Sequence, residues 1–218
     1  MLFRSIIGAG TAGLATATLL ARQGFQVSIF EKAQHLDPVG AGLLLQPAGL
    51  AVFEHLGVLE YACQLGAKVT GLEGQLADKR LLVNSHYHQA EAHHFGLGIH
   101  RATLCHVLTE KLAEYSSHVT WRMGHRIDGL EELQSEVRIF GSCKHQFFDD
   151  CFDAVLIANG ARSLAGGLAG RLTFAAASVL CRLLDRFCVD YNDVFCHDIH
   201  LAINDYSLFY HILGDSTI

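Results

Sequence analysis

The stretch IIGAGTAGLATATLLARQGFQVSIFE, residues 6–31, constrains this chain more than any other. Gly8-Ala9-Gly10-Thr11-Ala12-Gly13 matches G-x-G-x-x-G, and the run continues without a charge to Arg22. Gly24 stops it, as a glycine just past a helix end does. Phe25, Val27 and Ile29 then alternate with Gln26 and Ser28, the period of a strand that ends on Glu31. Residues 3–31 therefore read as strand, glycine turn, helix, strand and acid, one βαβ unit. The competing reading is a targeting segment or a membrane span. It is the weaker one, because the run is shorter than the roughly 20 apolar residues a bilayer needs. Its glycines also cost helix propensity, and a well-formed strand signal follows directly.

Each part of the unit has a physical task. Gly8 permits the tight turn out of the strand, and Gly10 lets a pyrophosphate approach the backbone with no Cβ in the way. Gly13 lets the helix pack close to the sheet. The helix start offers unpaired N–H groups and the positive end of its dipole to phosphate. Glu31 follows Gly10 at about the 20-residue interval from which an acid reaches a ribose 2′-OH. The implied ligand is a dinucleotide.

The rest of the composition narrows the class. Half of the 218 residues are apolar and 17% are charged, which supplies a core and argues against disorder. A net charge of −6 gives no electrostatic reason to expect nucleic acid or an anionic membrane. The seven cysteines form no C-x-x-C pair and read as reduced thiols of a cytoplasmic protein. Among fourteen histidines the one local cluster is His86, His88, His93 and His94. A metal site there would need a third ligand type and fixed geometry, so we read a solvated loop and expect no metal. No Ser/His/Asp or Cys/His arrangement offers itself, and no side chain is nominated as catalytic.

Later segments narrow the nucleotide. GAGLLLQPAGLAVFEHLG (40–57) follows a turn at Asp37-Pro38 and gives a Gly-rich strand and then a helix. That helix carries Leu50, Phe53 and Leu56 on one face and ends at Gly57. GIHRATLCHVLTEKLAEY (98–115) places Leu104, Val107, Leu108 and Leu112 at helical spacing, with Arg101 in the first turn. FDAVLIANGARS (152–163) is an apolar strand running into Asn159-Gly160. In this order the motifs resemble the FAD-dependent aromatic-hydroxylase type of flavoprotein monooxygenase, a family similar in pattern to p-hydroxybenzoate hydroxylase, over residues 5–165.

The resemblance implies an α/β fold, a Rossmann-like FAD-binding domain plus part of a β-sheet substrate domain. Gly8, Gly10, Thr11, Ala12, Gly13, Glu31 and Lys32 would then serve the ADP half of FAD. Arg101 would also contact the cofactor, and Gln46 would lie along the flavin. Asn159 and Gly160 fall in a segment similar to the family's A-D-G-x-x-S motif, implicated in FAD and NAD(P)H binding. Asn159 stands where that motif has an aspartate, so a negative charge is missing. The resemblance implies NAD(P)H-dependent hydroxylation of a small organic substrate, with an aromatic one as the family's type suggests.

Residues 1–70 and 97–163 would form the FAD-binding domain, and 71–96 would start the substrate sheet. Lys68–Gln75 and Arg80–Ser85 read as the two strands of one hairpin. Val119–Trp121, Arg126–Leu130 and Glu136–Phe140 read as further strands. Residues 164–218 do not follow the family pattern. Val179, Leu180, Leu183, Leu184 and Phe187 suggest a helix there, and Gly214-Asp215 reads as a chance match to a later family motif. Family members are nearly twice this long, so we expect a truncated or frame-shifted piece. Two alternatives stay open: an NAD-dependent dehydrogenase, which Glu31 also suits, and a truncated FAD-binding fragment without turnover.

Overall fold

The computed structural model describes residues 3–36 and 41–160. In chain order the elements are β1 (Phe3–Ile7), α1 (Thr11–Arg22), β2 (Gln26–Glu31), β3 (Gly42–Leu45), α2 (Pro47–Leu56) and α3 (Leu59–Leu65). Then come β4 (Ala67–Val69), β5 (Gly71–Gln75), β6 (Leu81–His86), a 3-10 turn at Tyr87–Gln89, β7 (Gly96–His100) and α4 (Arg101–Ala113). The last five strands are β8 (Val119–Met123), β9 (His125–Glu132), β10 (Val137–Cys143), β11 (Gln146–Phe152) and β12 (Ala154–Ile157). The chain divides into two compact units at 36/37 and 108/109. The resemblance placed its boundaries elsewhere, at 70/71 and 96/97. The Asp37-Pro38 turn, Ala161-Arg162-Ser163 and every expectation for 164–218 lie outside the described residues.

In the first unit, β12, β1, β2 and β8 form a parallel sheet in that order. Successive side chains on a strand point to opposite faces, and the two faces of β1 are covered differently. Ile6 faces α1, since a Cβ on Gly13 would lie 3.4 Å from its Cγ2. Ile7 faces the other way, into a cluster with Phe30, Leu130, Ile139, Phe152 and Val155. Leu130, Ile139 and Phe152 come from the antiparallel sheet β11-β10-β9. Phe30 anchors the seam, stacked on Phe148 and edge-on to Phe152, each at 5.8 Å between centroids. Each such buried side chain contributes about 1.5–3 kcal/mol by leaving water. β2 is therefore buried on both faces at Ile29 and Phe30, which its alternating sequence did not reveal.

The second unit holds the antiparallel sheet β3-β7-β4 and the separate hairpin β5-β6. Lys68–Gln75 is thus not one strand of a hairpin. The chain breaks at Thr70: β4 pairs with β7, and only β5 pairs with β6. The break is fixed where Tyr87 N–H donates to the Thr70 carbonyl at 3.0 Å. α2 begins with Pro47 at its start and ends at Gly57, whose φ of +72° is the left-handed turn expected there. Leu104, Val107, Leu108 and Leu112 are the buried face of α4, as their spacing requires. Among the described residues no helix is long and apolar enough to cross a membrane.

Candidate cofactor site

The carboxyl ends of β1, β2 and β12 meet, which is where open α/β sheets bind ligands. The β1–β2 register places Ile7 opposite Phe30, and the Gly8 N–H continues the ladder to the Phe30 carbonyl at 2.7 Å. On the other side, Ala158 N–H donates to the Ile7 carbonyl at 2.8 Å. Gly8, with φ +106°, is pressed against this second strand end. A Cβ there would lie 2.5 Å from the Ala158 carbonyl oxygen and 2.8 Å from the Asn159 Cα. Gly8 is glycine because both its torsion and its neighbour demand it.

The other two glycines divide the remaining work. A Cβ on Gly13 would collide with the Gly8 carbonyl oxygen, so Gly13 closes the turn against the helix. A Cβ on Gly10 would meet nothing within 4 Å. Gly10 borders open space, and its absent side chain leaves the backbone bare toward a ligand. It is also the N-cap of α1, which has no side-chain cap and no acid in its first turn. An uncapped helix start is favourable ground for an anion. Thr11 and Ala12 occupy that first turn.

Glu31 completes the arrangement. Its Oε2 accepts the Ala9 N–H and its Oε1 the Ala33 N–H, each at 2.9 Å. The carboxylate is fixed between the glycine turn and the chain leaving β2. It retains further lone pairs, since an ionised carboxylate offers about four acceptor positions. A diol or other pair of hydroxyl donors fits such a group. Lys32 stands beside it, exposed. Gln34, His35 and Leu36 line a pocket of about 320 Å³ with Thr109, Ala113, Trp121 and Met123.

The structure therefore brings together Gly8, Gly10, Thr11, Ala12, Gly13, Glu31, Lys32, Asn159 and Gly160. Gln46 and Arg101 belong to the second unit. Gln46 is the N-cap of α2 directly after β3, and Arg101 opens α4 directly after β7. β3 and β7 are antiparallel, with Gly42 opposite His100 and Leu45 opposite Leu97. The two positions thus sit at opposite ends of one ladder, separated by roughly 15 Å at about 3.3 Å per residue. Gln46 is oriented by Tyr87, whose Oη donates to its Oε1 at 2.9 Å.

Three contributors escaped the sequence. Ala9 and Ala33 act through backbone N–H groups, which no residue type announces. Tyr87 lies 41 residues from Gln46, and only the fold joins them.

A family model described as FAD binding domain matches residues 4–142, more than half of the chain. The chain belongs to the FAD binding domain family. It is 30% identical over 141 residues to a 3-hydroxybenzoate 6-hydroxylase of Klebsiella oxytoca, covering 62% of this chain and 35% of that protein. It is 32% identical over 139 residues to a 6-methylpretetramide 4-monooxygenase of Streptomyces rimosus, covering 61% and 32%. The chain thus spans about a third of the length of these relatives. Among solved structures, PqsL of P. aeruginosa in complex with 2-aminobenzoylacetate is 25% identical with a TM-score of 0.64, over 79% of this chain and 46% of that one. The p-nitrophenol 4-monooxygenase of Pseudomonas putida DLL-E4, at 18% identity and a TM-score of 0.69 over 79% and 44%, shares the fold.

Proposed function

We propose that this chain is the cofactor-binding part of an FAD-dependent monooxygenase that hydroxylates a small aromatic substrate with NAD(P)H as reductant. The observation that carries the reading is Glu31, a carboxylate pinned by two backbone N–H groups beside a glycine turn whose Gly10 leaves its backbone bare. That pairing suits a ribose next to a pyrophosphate. The naming of relatives as aromatic hydroxylases supports the substrate class.

FAD, when bound, supplies the redox and oxygen chemistry, and the chain supplies binding and orientation. In this reading the Gly8–Gly13 turn and the α1 start, with Thr11 and Ala12, hold the pyrophosphate. Glu31 accepts from the ribose hydroxyls, and Lys32 offsets phosphate charge at the rim. The Asn159-Gly160 segment closes the cofactor side of Gly8. Gln46 and Arg101 contact different stretches of the extended cofactor. An amide at Asn159, in place of the family's aspartate, brings donors of its own and removes a charge near the nicotinamide path. Residues 71–96 begin the substrate-covering sheet. There β5-β6 leaves Leu72, Leu81, Leu82 and Val83 exposed.

The test is the visible spectrum of the purified chain after incubation with FAD and desalting. A retained flavin band is expected. A thermal shift with NAD and none with FAD would replace this reading with that of a dehydrogenase.

A further inference from the structure

The turn that follows Tyr87–Gln89 brings three metal-ligating side chains to one point. Glu91 Oε2 lies 3.4 Å from His93 Nε2 and 3.5 Å from His94 Nε2. One ligand atom from each of the three residues falls within 4.8 Å of the others. The two short separations match the edge of a coordination tetrahedron, which is about 3.4 Å for zinc bonds of about 2.0–2.1 Å. The imidazole rings are crossed at 72° rather than stacked, with centroids 4.9 Å apart. Neither histidine needs to cross the turn to reach the carboxylate.

The turn is held in place by its own backbone. His94 N–H donates to the Glu91 carbonyl at 3.0 Å, and Ala90 N–H to the Tyr87 carbonyl at 3.1 Å. Tyr87 is itself fixed at both ends, by its N–H to Thr70 and by its Oη to Gln46. The ligands therefore project from a backbone segment held by hydrogen bonds, which lowers the backbone share of the ordering cost of binding. His93 alongside His94 lacked a third ligand type and a fixed geometry when read as sequence. Glu91 supplies the first and the turn supplies the second.

We propose that Glu91, His93 and His94 form a binding site for a divalent transition metal, with zinc as the ion the donor set fits best. Two imidazoles and a carboxylate are a zinc ligand set that leaves a fourth position for water. Magnesium and calcium, which prefer oxygen ligands throughout, are poor candidates. The site faces solvent, with the His93 side chain 79% exposed, so an ion enters without opening the fold.

The experiment is a zinc titration of the full chain near neutral pH, in competition with a chromophoric chelator. The variants are His93→Ala with His94→Ala, Glu91→Gln, and His88→Ala as a control on an exposed histidine outside the trio. Far-UV circular dichroism checks that each variant keeps its fold. The expected result is that the double histidine variant abolishes one tight site. Glu91→Gln should weaken it by about tenfold or more, and His88→Ala should leave it unchanged. Three outcomes would overturn the proposal: no zinc uptake by the parent chain, an unaltered site in the double variant, or a loss in His88→Ala as large as in that variant.

Discussion

Glu31 Oε2 accepts the backbone N–H of Ala9 at 2.9 Å, tying the end of the second strand to the glycine turn that follows the first. The acid is thus part of the turn's structure as well as a candidate ligand for ribose. Replacing it with alanine strands two half-buried N–H groups, those of Ala9 and Ala33. It should lower stability by about 1–3 kcal/mol and weaken FAD binding by about 10- to 100-fold. Glutamine, which keeps one acceptor oxygen, should fall between. Thermal denaturation and calorimetric titration of the same variants separate the two effects.

Gly10 and Gly13 make a paired contrast. Gly13→Ala forces a Cβ into the Gly8 carbonyl and should cost about 1–3 kcal/mol of stability by overpacking. Gly10→Ala meets no protein atom within 4 Å and should shift stability by only about 0.5 kcal/mol. Its FAD affinity should nevertheless fall, because the added methyl enters the ligand's space. Urea unfolding midpoints and FAD titrations of both variants test the division. A Gly10→Ala protein with undiminished affinity would show that the pyrophosphate does not pass there.

Tyr87 and Gln46 should be coupled. Either Tyr87→Phe or Gln46→Leu breaks the hydrogen bond between them, at a cost of about 1 kcal/mol. The double variant should cost less than the sum of the two, by a coupling of about 0.5 kcal/mol or more. A double-mutant cycle in urea measures it, and strict additivity would mean the bond contributes nothing in solution.

Arg4 is a misfit within the first strand. It is 6% exposed, its Nε and Nη1 have no hydrogen-bond partner, and Asp153 Oδ2 is 3.6 Å from Nη1. Burial pushes the guanidinium pKa down, and Asp153 opposes this only in part. A lowered pKa in a cation means that folding disfavours its charged form. The penalty is therefore present at neutral pH and fades only in strong alkali. Arg4→Leu should raise the urea midpoint, by about 1–3 kcal/mol in stability, while Asp153 keeps its bond from the Phe3 N–H. A lower midpoint would mean that the Asp153 pair and the Phe25 ring, whose centroid lies 5.0 Å from the Arg4 Cζ, together outweigh burial.

How much of this was legible in sequence depended on whether the information was local. The βαβ unit could be read because its glycines, its helix end and its strand period all lie within residues 3–31. α2 and α4 could be read from helical spacing and, for α2, the stop at Gly57. The break at Thr70 could not, because it arises when β7 claims β4 and leaves β5 to β6, a choice made by distant partners. α3 and β11 went unread: α3 is only seven residues long, and β11 alternates apolar and acidic residues too irregularly for a clear period. At the site, the motif residues Gly8, Gly10, Gly13 and Glu31 were visible from their types and spacing. The backbone donors of Ala9 and Ala33 and the reach of Tyr87 were not, since folding alone creates them. The metal-binding turn fell between: its histidines were conspicuous, but Glu91 acquires meaning only once the turn folds.

The single tryptophan, Trp121, lines the pocket beside Gln34, His35 and Leu36 and reports directly on cofactor binding at Glu31. Its fluorescence should be followed during titration with FAD and, separately, with NAD, in the parent chain and in Glu31→Ala. Quenching by FAD should be saturable and should shift to higher concentration by about 10-fold or more in Glu31→Ala, with a weaker response or none to NAD. Saturation by NAD alone, or an FAD curve indifferent to the loss of Glu31, would contradict FAD binding at Glu31.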